Sequence, residues 1–328
     1  MPLLISRQDV EAVLSMDACI AAVETAFAEL TRGNADMPQR SVISVPEHEG
    51  LFLGMPAHIG GDDEVLGLKV VTVYPGNPAK GLPTIYGTLL LCDPTTGKTV
   101  AIMDAGYLTA VRTGAASGVA TKYLAREDSR VCTIFGAGGQ ARKQLEAVHL
   151  VRPLEKVYVL DKVVGTRDAF VADMGELLGV PVEASEDPEA AVKAADIVVT
   201  ASSSPEPVFD GDWLRPGTHV NNIGSHSPGA RELDTRTVVR SKFVADLKEA
   251  NLAEAGDILI PISEGAVTEG HIHASLGEIV VGTKAGRETD EEITVFKSCG
   301  LAIQDISSAA AVYKAALMKG AGTEIALT

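Results

Sequence analysis

Three basic residues in the first third of the chain lie where a charge is costly unless it has a partner. Lys69 interrupts the apolar run VLGLKVVTVY, Arg112 opens the small-residue segment VRTGAAS, and Arg40 follows Met-Pro-Gln. A lysine in an apolar strand must be paired or reach water, and arginine can bind a carboxylate through two parallel N–H groups. Together the three cations predict a site for a substrate α-carboxylate. Taken singly, a solvent-facing edge-strand lysine, a solvated loop arginine and a capping or bridging helix arginine are the alternatives.

A glycine-rich segment in the middle of the chain has the pattern of a dinucleotide-binding turn. Residues 136–141 read GAGGQA, follow the strand-like RVCTIF and open the apolar-striped RKQLEAVHLV. In such a strand–turn–helix unit Gly136 permits the tight turn, Gly138 lets the backbone approach a pyrophosphate, and Ala141 lets helix and strand pack closely. The N–H groups at the helix start would bind the phosphates. A tight turn without a ligand is the alternative.

An acid after the next strand-like run indicates which dinucleotide is bound. Asp161 follows KVYVL, about 20 residues beyond the glycine turn, where a carboxylate can accept hydrogen bonds from the adenosine ribose hydroxyls. The same charge would repel a 2′-phosphate, so we expect NAD(H) rather than NADP(H). Lys162 and Arg167 are close enough in sequence to soften that exclusion. A helix cap or a solvated surface acid is the alternative for Asp161.

The periodicity of the chain predicts two domains that position these residues. From Arg130 onward, short β-branched runs such as VCTIF, KVYVL and DIVVT alternate with helical segments, which predicts an α/β fold with a doubly wound Rossmann-type parallel sheet. Before it, a helix over 7–31, a mainly antiparallel sheet over about 41–91 and a helix over about 109–125 are expected. With a last helix over 302–319 they form a second, α+β domain. We predict a substrate domain of residues 1–124 plus 302–328 and a dinucleotide domain of residues 125–301.

Length and charge narrow the classes of function. The 328 residues are 46% hydrophobic and 22% charged, which is typical of a soluble protein with room for two domains. A net charge of −16 repels phosphate backbones and anionic lipid, so neither nucleic acid nor a membrane is an expected partner. The cysteines have no CxxC pair and no nearby histidine, which favours reduced thiols and no metal site. The N-terminus meets charge too early for a secretory signal, so a cytoplasmic protein is expected.

Several longer stretches resemble one enzyme family. GLKVV, LPTIYGTLLL, DAGYLTAVRTGAASGVATKYLA, GAGGQA, IGSHSPGARELD and GRETDEEITVFKSCGLAIQD are similar to the ornithine cyclodeaminase/μ-crystallin family, over nearly the whole chain. That family includes ornithine cyclodeaminases, archaeal-type alanine dehydrogenases, ketimine and pyrroline-carboxylate reductases and iminosuccinate reductases. The resemblance implies NAD(P)-linked interconversion of an amine and an imine. It also implies a homodimer formed through the sheet of the N-terminal domain, which would then serve dimerisation as well as substrate binding.

The resemblance also assigns roles to single residues. Arg40, Lys69 and Arg112 fall at the family's substrate-carboxylate and catalytic positions. Met55 falls at the wall of the substrate pocket, and Cys299 falls beside the substrate. The predicted cofactor-binding set combines the glycine motif with the matched positions: Thr84, Arg112, Gly136, Gly138, Gly139, Gln140, Asp161, Ser202, Val220, Asn221, Asn222, Ile223 and Ser298.

One loop departs from the pattern of the cyclodeaminases and archaeal alanine dehydrogenases, which resembles G-x-D-x-P-G-K. Residues 224–230 of this chain read GSHSPGA, so His226 stands at the acidic position and Ala230 at the lysine position. This disfavours ornithine cyclodeamination. An imidazole, with an ordinary pKa of about 6.5, suits a substrate with a second carboxylate. The most specific expectation is therefore reduction of iminosuccinate to L-aspartate, and a histidine bonded only to loop backbone is the alternative.

The expected reaction is hydride transfer from NADH to an imine carbon, with Lys69, His226 or a bound water as the proton donor. His226 is thus predicted to act in catalysis and in substrate binding. After iminosuccinate reduction, the candidate activities are alanine dehydrogenase, cyclic ketimine (pyrroline- or piperideine-2-carboxylate) reductase and ornithine cyclodeaminase, in that order. A crystallin-like nucleotide-binding protein without turnover is the non-enzyme alternative. The retained cations and the intact nucleotide turn favour the enzyme.

Overall fold

The computed structural model describes residues 1–327, apart from the side chain of Pro78. The strands are β1 Leu3–Ile5, β2 Ala35–Asp36, β3 Ser41–Val45, β4 Gly50–Ile59, β5 Val65–Val73, β6 Ile85–Cys92, β7 Thr99–Asp104, β8 Val131–Phe135, β9 Lys156–Leu160, β10 Val182–Ala184, β11 Ile197–Thr200, β12 His219–Asn222, β13 Ser241–Ala245, β14 Ile272–Ser275, β15 Ile293–Lys297 and β16 Thr323–Glu324. The helices are α1 Arg7–Val13, α2 Met16–Thr31, α3 Gly106–Leu124, α4 Gly139–Val151, α5 Val164–Leu178, α6 Pro188–Ala194, α7 Thr235–Arg240, α8 Lys248–Glu254, α9 Gly256–Ser263, α10 Leu276–Val280 and α11 Ala302–Lys319. Within residues 1–327, no helix combines the length and apolar character needed to cross a bilayer.

The chain divides into two units, Met1–Arg112 with the segment from Leu301 onward, and Thr113–Gly300. The first boundary falls inside α3, whereas the sequence predicted it after residue 124, where that helix ends. The return to the first unit at Leu301 lies next to the predicted residue 302. Periodicity shows where a helix ends, but it does not show with which sheet each of its turns packs. The earlier boundary therefore became visible only in the fold.

The first unit is built on a mainly antiparallel sheet. Its strand order is β16-β1-β7-β6-β5-β4-β2. Strand β3 pairs with the first half of β4, residues 50–54. The successive pairs from β3 to β7 are antiparallel, which confirms the prediction for residues 41–91, while β1 joins β7 in parallel. Helix α11 packs on β4, β5 and β6. The chain's last helix therefore covers the strand that contains Lys69.

The predicted single helix over 7–31 was wrong, because the segment forms α1 and α2. Ser6 caps α1 by accepting the N–H of Asp9, and the Asp9 carboxylate accepts the backbone N–H of Ser6 in return. The backbone becomes extended at Leu14, and α2 begins after Ser15. Leu14 is buried like its neighbours Val13 and Met16, so the apolar pattern continues through the break.

The second unit contains a parallel sheet with both faces covered. Its order is β10-β9-β8-β11-β12-β15-β13-β14, and all of these neighbouring strands pair in parallel. Along β11, Ile197 and Val199 belong to one buried cluster and Val198 to the other. Alternation between two apolar layers is the signature of a doubly wound sheet, and the predicted Rossmann-type fold is confirmed. Ligands of such sheets bind at the carboxyl ends of the strands.

Candidate active site

The glycine motif forms the turn between β8 and α4. Gly136 has a φ of 98°, and a Cβ at this position would lie 2.4 Å from the carbonyl oxygen of Ala201, so glycine is required there. Gly138 caps α4 without a side-chain hydrogen bond, and a Cβ at Gly138 or Gly139 would meet nothing within 4 Å. The N–H groups of the first turn, which have no intrahelical acceptor, therefore lie beneath open space. A helix start of this kind can bind a pyrophosphate.

Asp161 connects the end of β9 to this turn. Its Oδ2 accepts the N–H of Ala137 at 2.8 Å, and its Oδ1 accepts the N–H of Val163 at 2.8 Å. The two bonds fix the carboxylate beside the glycine turn, and its binding to a ribose hydroxyl stays a prediction. Each oxygen keeps a lone pair for a further donor, such as a ribose hydroxyl.

A buried carboxylate that sequence reasoning missed joins the loops after β11 and β12. Glu232 is fully buried, and its Oε1 accepts the N–H of Ser202 at 2.7 Å and the Ser202 hydroxyl at 2.6 Å. Its Oε2 accepts the N–H of Gly224 at 2.7 Å. Burial raises the pKa of Glu232. The predicted cofactor residue Ser202 is thus oriented by an acid from the GARELD segment.

The predicted run Val220 to Ile223 lies at the end of β12. The side chains of Val220, Asn221 and Asn222 are fully buried, and that of Ile223 is nearly so. The amides of Asn221 and Asn222 donate to the hydroxyls of Thr121 at 2.9 Å and Thr200 at 2.8 Å. These side chains are engaged inside the unit, so a cofactor at this edge would meet the backbone of the run.

Asp246 orders the loop after β15, where two further site residues were predicted. Its Oδ2 accepts the Ser298 hydroxyl at 2.9 Å and the N–H groups of Cys299 and Gly300, each at 2.8 Å. Burial raises the pKa of Asp246. Sequence reasoning missed this acid, although the strand-like KFVAD ends on it at the same sheet edge as the other site loops.

His226 lies exposed in the loop after β12. The base of this loop is anchored, because the carbonyl of Ser225 accepts a hydrogen bond from the fully buried ammonium of Lys297. Lys297 also forms a buried ion pair with Asp257, at 2.9 Å. The Ser225 hydroxyl closes the loop by donating to the carbonyl of Ala230 at 2.7 Å. The catalytic role of His226 stays a prediction.

A buried ion cluster surrounds Lys69 in the first unit. Lys69 is 1% exposed and lies in β5 between Met55 of β4 and Leu89 of β6. Its ammonium is 2.7 Å from Oδ2 of Asp305, and Nε of Arg112 is 2.8 Å from Oδ1 of the same carboxylate. The alternative of an edge-strand lysine facing solvent is therefore wrong. Met55 is also buried, as a pocket-wall residue should be.

Arg112 is held by a second residue of α11. Its Nη1 donates to Oε1 of Gln304 at 2.7 Å, and the same oxygen accepts the N–H of Leu301 at 3.3 Å. Because Asp305 engages Nε and Gln304 engages Nη1, an incoming carboxylate must bind to the remaining N–H groups of the guanidinium. Arg40 is half-buried directly before β3.

Opposing effects set the protonation of Lys69. Burial disfavours the ammonium and lowers its pKa, the charge of Asp305 raises it, and Arg112 and Arg40 lower it. The result is a pKa of about 8, against an ordinary value of 10.5. Lys69 can therefore release or accept a proton nearer to neutral pH than an exposed lysine.

The predicted cofactor residues are divided between the two units. Thr84 precedes β6 in the first unit, where its carbonyl accepts the N–H of Tyr74 at 2.8 Å, and Arg112 belongs to the ion cluster. The other predicted cofactor residues lie in the second unit.

Sequence reasoning also missed Asp305 and Gln304, although a signal was present. Both interrupt the apolar segment AIQDISSAAAV, and both are fully buried. A buried acid requires a partner. Two lone polar residues in an apolar helix and a lone lysine in an apolar strand could have been paired on that ground.

The second unit fits a bound NAD at three independent places. Open space lies over Gly138 and Gly139, the Asp161 carboxylate is fixed beside the turn, and Oε1 of Gln140 is buried without a hydrogen-bond partner in residues 1–327. These residues would hold the pyrophosphate and the adenosine ribose.

Comparison with known proteins identifies the family of this chain. The chain matches the ornithine cyclodeaminase/mu-crystallin family over residues 2–320. It is similar to Thermococcus litoralis Δ1-pyrroline-2-carboxylate reductase in complex with NADH and L-proline, with 49% identity, a TM-score of 0.95 and coverage of 98% of this chain and 100% of that one. An archaeal alanine dehydrogenase dimer with bound NAD shares 40% identity, with a TM-score of 0.93 and coverage of 100% and 99%.

The iminosuccinate reductase of Paracoccus denitrificans in complex with NAD⁺ is more distant. It shares 29% identity, with a TM-score of 0.92 and coverage of 99% of each chain. The match therefore spans both units and includes the segments that carry the glycine turn and the cation cluster. This chain belongs to the ornithine cyclodeaminase/mu-crystallin family.

Proposed function

We propose that this protein reduces a 2-imino acid with a single carboxylate to the L-amino acid, and that its preferred substrate is a cyclic imine of the Δ1-pyrroline-2-carboxylate type. The coarser activity follows from the family: the protein is an oxidoreductase that acts on imines or amino acids and uses NAD. The substrate is the part that we propose.

The charge of the buried cluster carries this proposal. Within residues 1–327, the buried cluster contains two positive charges, on Lys69 and Arg112, and one negative charge, on Asp305, so the cluster has a net charge of +1. An uncompensated buried charge is unfavourable, and a single substrate carboxylate would balance it. A monocarboxylate imine brings one such group.

The similarity to known enzymes supports a cyclic imine over iminosuccinate. The pyrroline-2-carboxylate reductase solved with L-proline is 49% identical to this chain, and the iminosuccinate reductase is 29% identical. Iminosuccinate is the second candidate. It is favoured by His226, an imidazole at the position where the cyclodeaminases and archaeal alanine dehydrogenases have an acid, because an imidazole suits a second carboxylate on the substrate.

The protein's own residues would bind the substrate and supply the proton. When bound, NADH supplies a hydride from C4 of its nicotinamide. Arg112 and Arg40 would bind the α-carboxylate, and Met55 would contribute an apolar wall beside Lys69. Lys69 would donate a proton to the imine nitrogen, because its lowered pKa makes the ammonium a stronger acid than that of an exposed lysine.

We also propose a homodimer formed through the open face of the first unit's sheet. Ile43, Phe52 and Tyr86 lie in one cross-strand row through Thr72, on the face opposite Lys69, and are 60%, 38% and 47% exposed. Exposed apolar patches of this kind mark interaction surfaces. The archaeal alanine dehydrogenase of 40% identity is a dimer, which supports a second copy of this chain as the occupant.

A substrate panel followed by NADH absorbance tests the proposed reaction. The compounds are Δ1-pyrroline-2-carboxylate, pyruvate with ammonia, and oxaloacetate with ammonia. We expect the highest kcat/KM for the cyclic imine. A higher kcat/KM with oxaloacetate and ammonia would establish iminosuccinate, and a higher value with pyruvate would establish alanine dehydrogenase activity. NADH oxidation with none of the three compounds would overturn the proposed substrate and leave another imine or amino acid as the substrate.

A further inference from the structure

The carboxylate of Asp305 is the centre of the cation cluster. Each of its oxygens is ion-paired with a different predicted substrate-binding residue, Oδ2 with Lys69 at 2.7 Å and Oδ1 with Arg112 at 2.8 Å. The side chain of Asp305 has no exposed surface, and those of Lys69 and Arg112 are only 2% and 7% exposed. Because it touches both cations, this acid stabilises the charge of the Lys69 ammonium and fixes the placement of both side chains.

The sheet is shaped to bring Asp305 to Lys69. Gly67 lies two residues before Lys69 in β5, so both residues face the same side of the sheet. A Cβ at Gly67 would lie 3.0 Å from Cγ2 of Ile306 and 2.8 Å from the carbonyl oxygen of Leu90. The missing side chain therefore lets α11 approach β5 closely enough for Asp305 to reach the lysine.

We propose that Asp305 is the positioning residue of the substrate site: it keeps the Lys69 ammonium charged within the sheet and holds the Arg112 guanidinium in the orientation that binds a substrate carboxylate. It acts through these two cations and does not itself contact the reacting atoms. The inference rests on the proposed use of Lys69 as proton donor and names the residue that makes this use possible.

The charges facing Lys69 come from three elements. Asp305 of α11 stabilises the ammonium, while Arg112 of α3 and Arg40, just before β3, destabilise it. The strand neighbours Met55 and Leu89 are uncharged. Removal of Asp305 would leave two cations around a buried ammonium, so the lysine should lose its proton at lower pH.

The variant Asp305→Asn keeps the shape of the side chain and removes its charge. We expect the alkaline limb of kcat/KM for imine reduction to move to lower pH by about 1 pH unit or more, which is about a tenfold loss of activity above the new limb. The matched control is Ser308→Ala in the same helix, whose buried hydroxyl lies 3.2 Å from Sγ of Cys19 and not in the cluster. The control should keep the wild-type pH profile.

A binding measurement separates this inference from the proposed reaction. Pyrrole-2-carboxylate is a planar monocarboxylate that cannot accept a hydride, and its affinity for the NADH-loaded enzyme is measured by calorimetry on either side of pH about 8. As the pH is raised, the affinity should begin to fall at a lower pH in Asp305→Asn than in the wild type. If this shift is found while Δ1-pyrroline-2-carboxylate is not turned over, the substrate proposal fails and the role of Asp305 stands.

An unchanged pH dependence of both turnover and binding in a folded Asp305→Asn protein would overturn the inference. If that variant does not fold, Asp305→Glu takes its place, since it keeps the negative charge. The alkaline limb of Asp305→Glu should then stay near the wild-type pH. If the alkaline limb of kcat/KM in Asp305→Glu moved to lower pH by about 1 pH unit, the proposal would also be contradicted, because this variant keeps the negative charge.

Discussion

At the scale of single residues, the surroundings of two charged side chains, Lys69 and Asp161, indicate what each can do chemically. Lys69 lies in the middle of a sheet with 1% exposure, and burial lowers its pKa to about 8. Asp161 lies at a strand end with its carboxylate fixed by two backbone N–H groups. The first arrangement favours proton transfer, and the second favours recognition of hydroxyls. The two environments therefore support the different roles that we propose for Lys69 and Asp161.

Replacement of Lys69 by methionine should remove the proton donor without unpairing a buried acid, because Asp305 keeps its contact with Arg112. We expect kcat to fall by about 100-fold or more, the range of a lost general acid. The affinity for NADH should be nearly unchanged, since Lys69 is not among the predicted cofactor-binding residues. Stopped-flow turnover and NADH titration measure the two quantities.

The control for this variant is Lys98→Met, which changes the same charge at an exposed turn of the first unit. It should retain wild-type kcat. Turnover of Lys69→Met within about threefold of the wild type would show that another group, such as His226 or a water, supplies the proton.

Replacement of Asp161 by serine should weaken the preference for NADH over NADPH. The carboxylate would repel a 2′-phosphate, and repulsion near a protein surface is worth a few kcal/mol, so the ratio of kcat/KM values should shift by about 100-fold. Asp173→Ser, which removes an acid that pairs with Arg142, is the control and should keep the ratio. Wild-type preference in Asp161→Ser would contradict the assigned role of this acid.

At the scale of elements, buried carboxylates fix the loops of the second unit that carry predicted site residues, by accepting hydrogen bonds from their N–H groups. Glu232 joins the loops after β11 and β12, and Asp246 collects the N–H groups of the loop after β15. In the first unit, the buried carboxylate of Asp305 forms ion pairs with Lys69 and Arg112. Burial raises the pKa of Glu232 and of Asp246, while their hydrogen bonds to backbone N–H groups favour the charged form.

Two glycines of the turn before α4 should respond differently to substitution. Gly136→Ala places a side chain at a φ of 98° and 2.4 Å from the Ala201 carbonyl oxygen, so it should cost about 2 kcal/mol or more of folding stability. Gly139→Ala enters open space at a helix start and should not lower the unfolding temperature. It should weaken NADH binding, because the new methyl group occupies the space over the turn.

Thermal unfolding and NADH titration of both variants test this pair, and each serves as the control for the other. Wild-type NADH affinity in Gly139→Ala would show that the open space over the turn does not receive the pyrophosphate. Wild-type stability in Gly136→Ala would contradict the steric argument for the first glycine.

At the scale of the whole molecule, the two units carry different groups of predicted site residues. The parallel sheet carries the glycine turn and Asp161. In the first unit, Lys69 of β5 and Arg112 of α3 both pair with Asp305, and an apolar row lies on the sheet face opposite Lys69. The predicted cytoplasmic location and the assignment of dimerisation to the first unit stay predictions.

Replacement of Phe52 by glutamate should dissociate the proposed dimer. A charge in an apolar interface must be desolvated without a partner, which is unfavourable. Light scattering coupled to size-exclusion chromatography should show a monomer for Phe52→Glu. Leu177→Glu, at a position of α5 that is 60% exposed, should behave as the wild type. A wild-type mass for Phe52→Glu would place the interface elsewhere or show a monomeric protein.

The amino-acid sequence by itself determined the dinucleotide domain and its cofactor turn. The glycines, the strand before them, the helix after them and Asp161 are near neighbours in the chain, and local backbone geometry and hydrophobic alternation encode such units directly. The antiparallel strands with Lys69 were equally readable, because alternation and turn residues mark strands.

Only the tertiary structure decided what surrounds Lys69. Asp305 comes from the last helix, Arg112 from α3 and Arg40 from the segment before β3, so the cluster exists only after segments far apart in the chain have packed on one sheet. The boundary inside α3 likewise depends on packing that the sequence does not show. Contacts between remote segments depend on which faces pack together, and hydrophobic periodicity is the same whichever partner a face acquires.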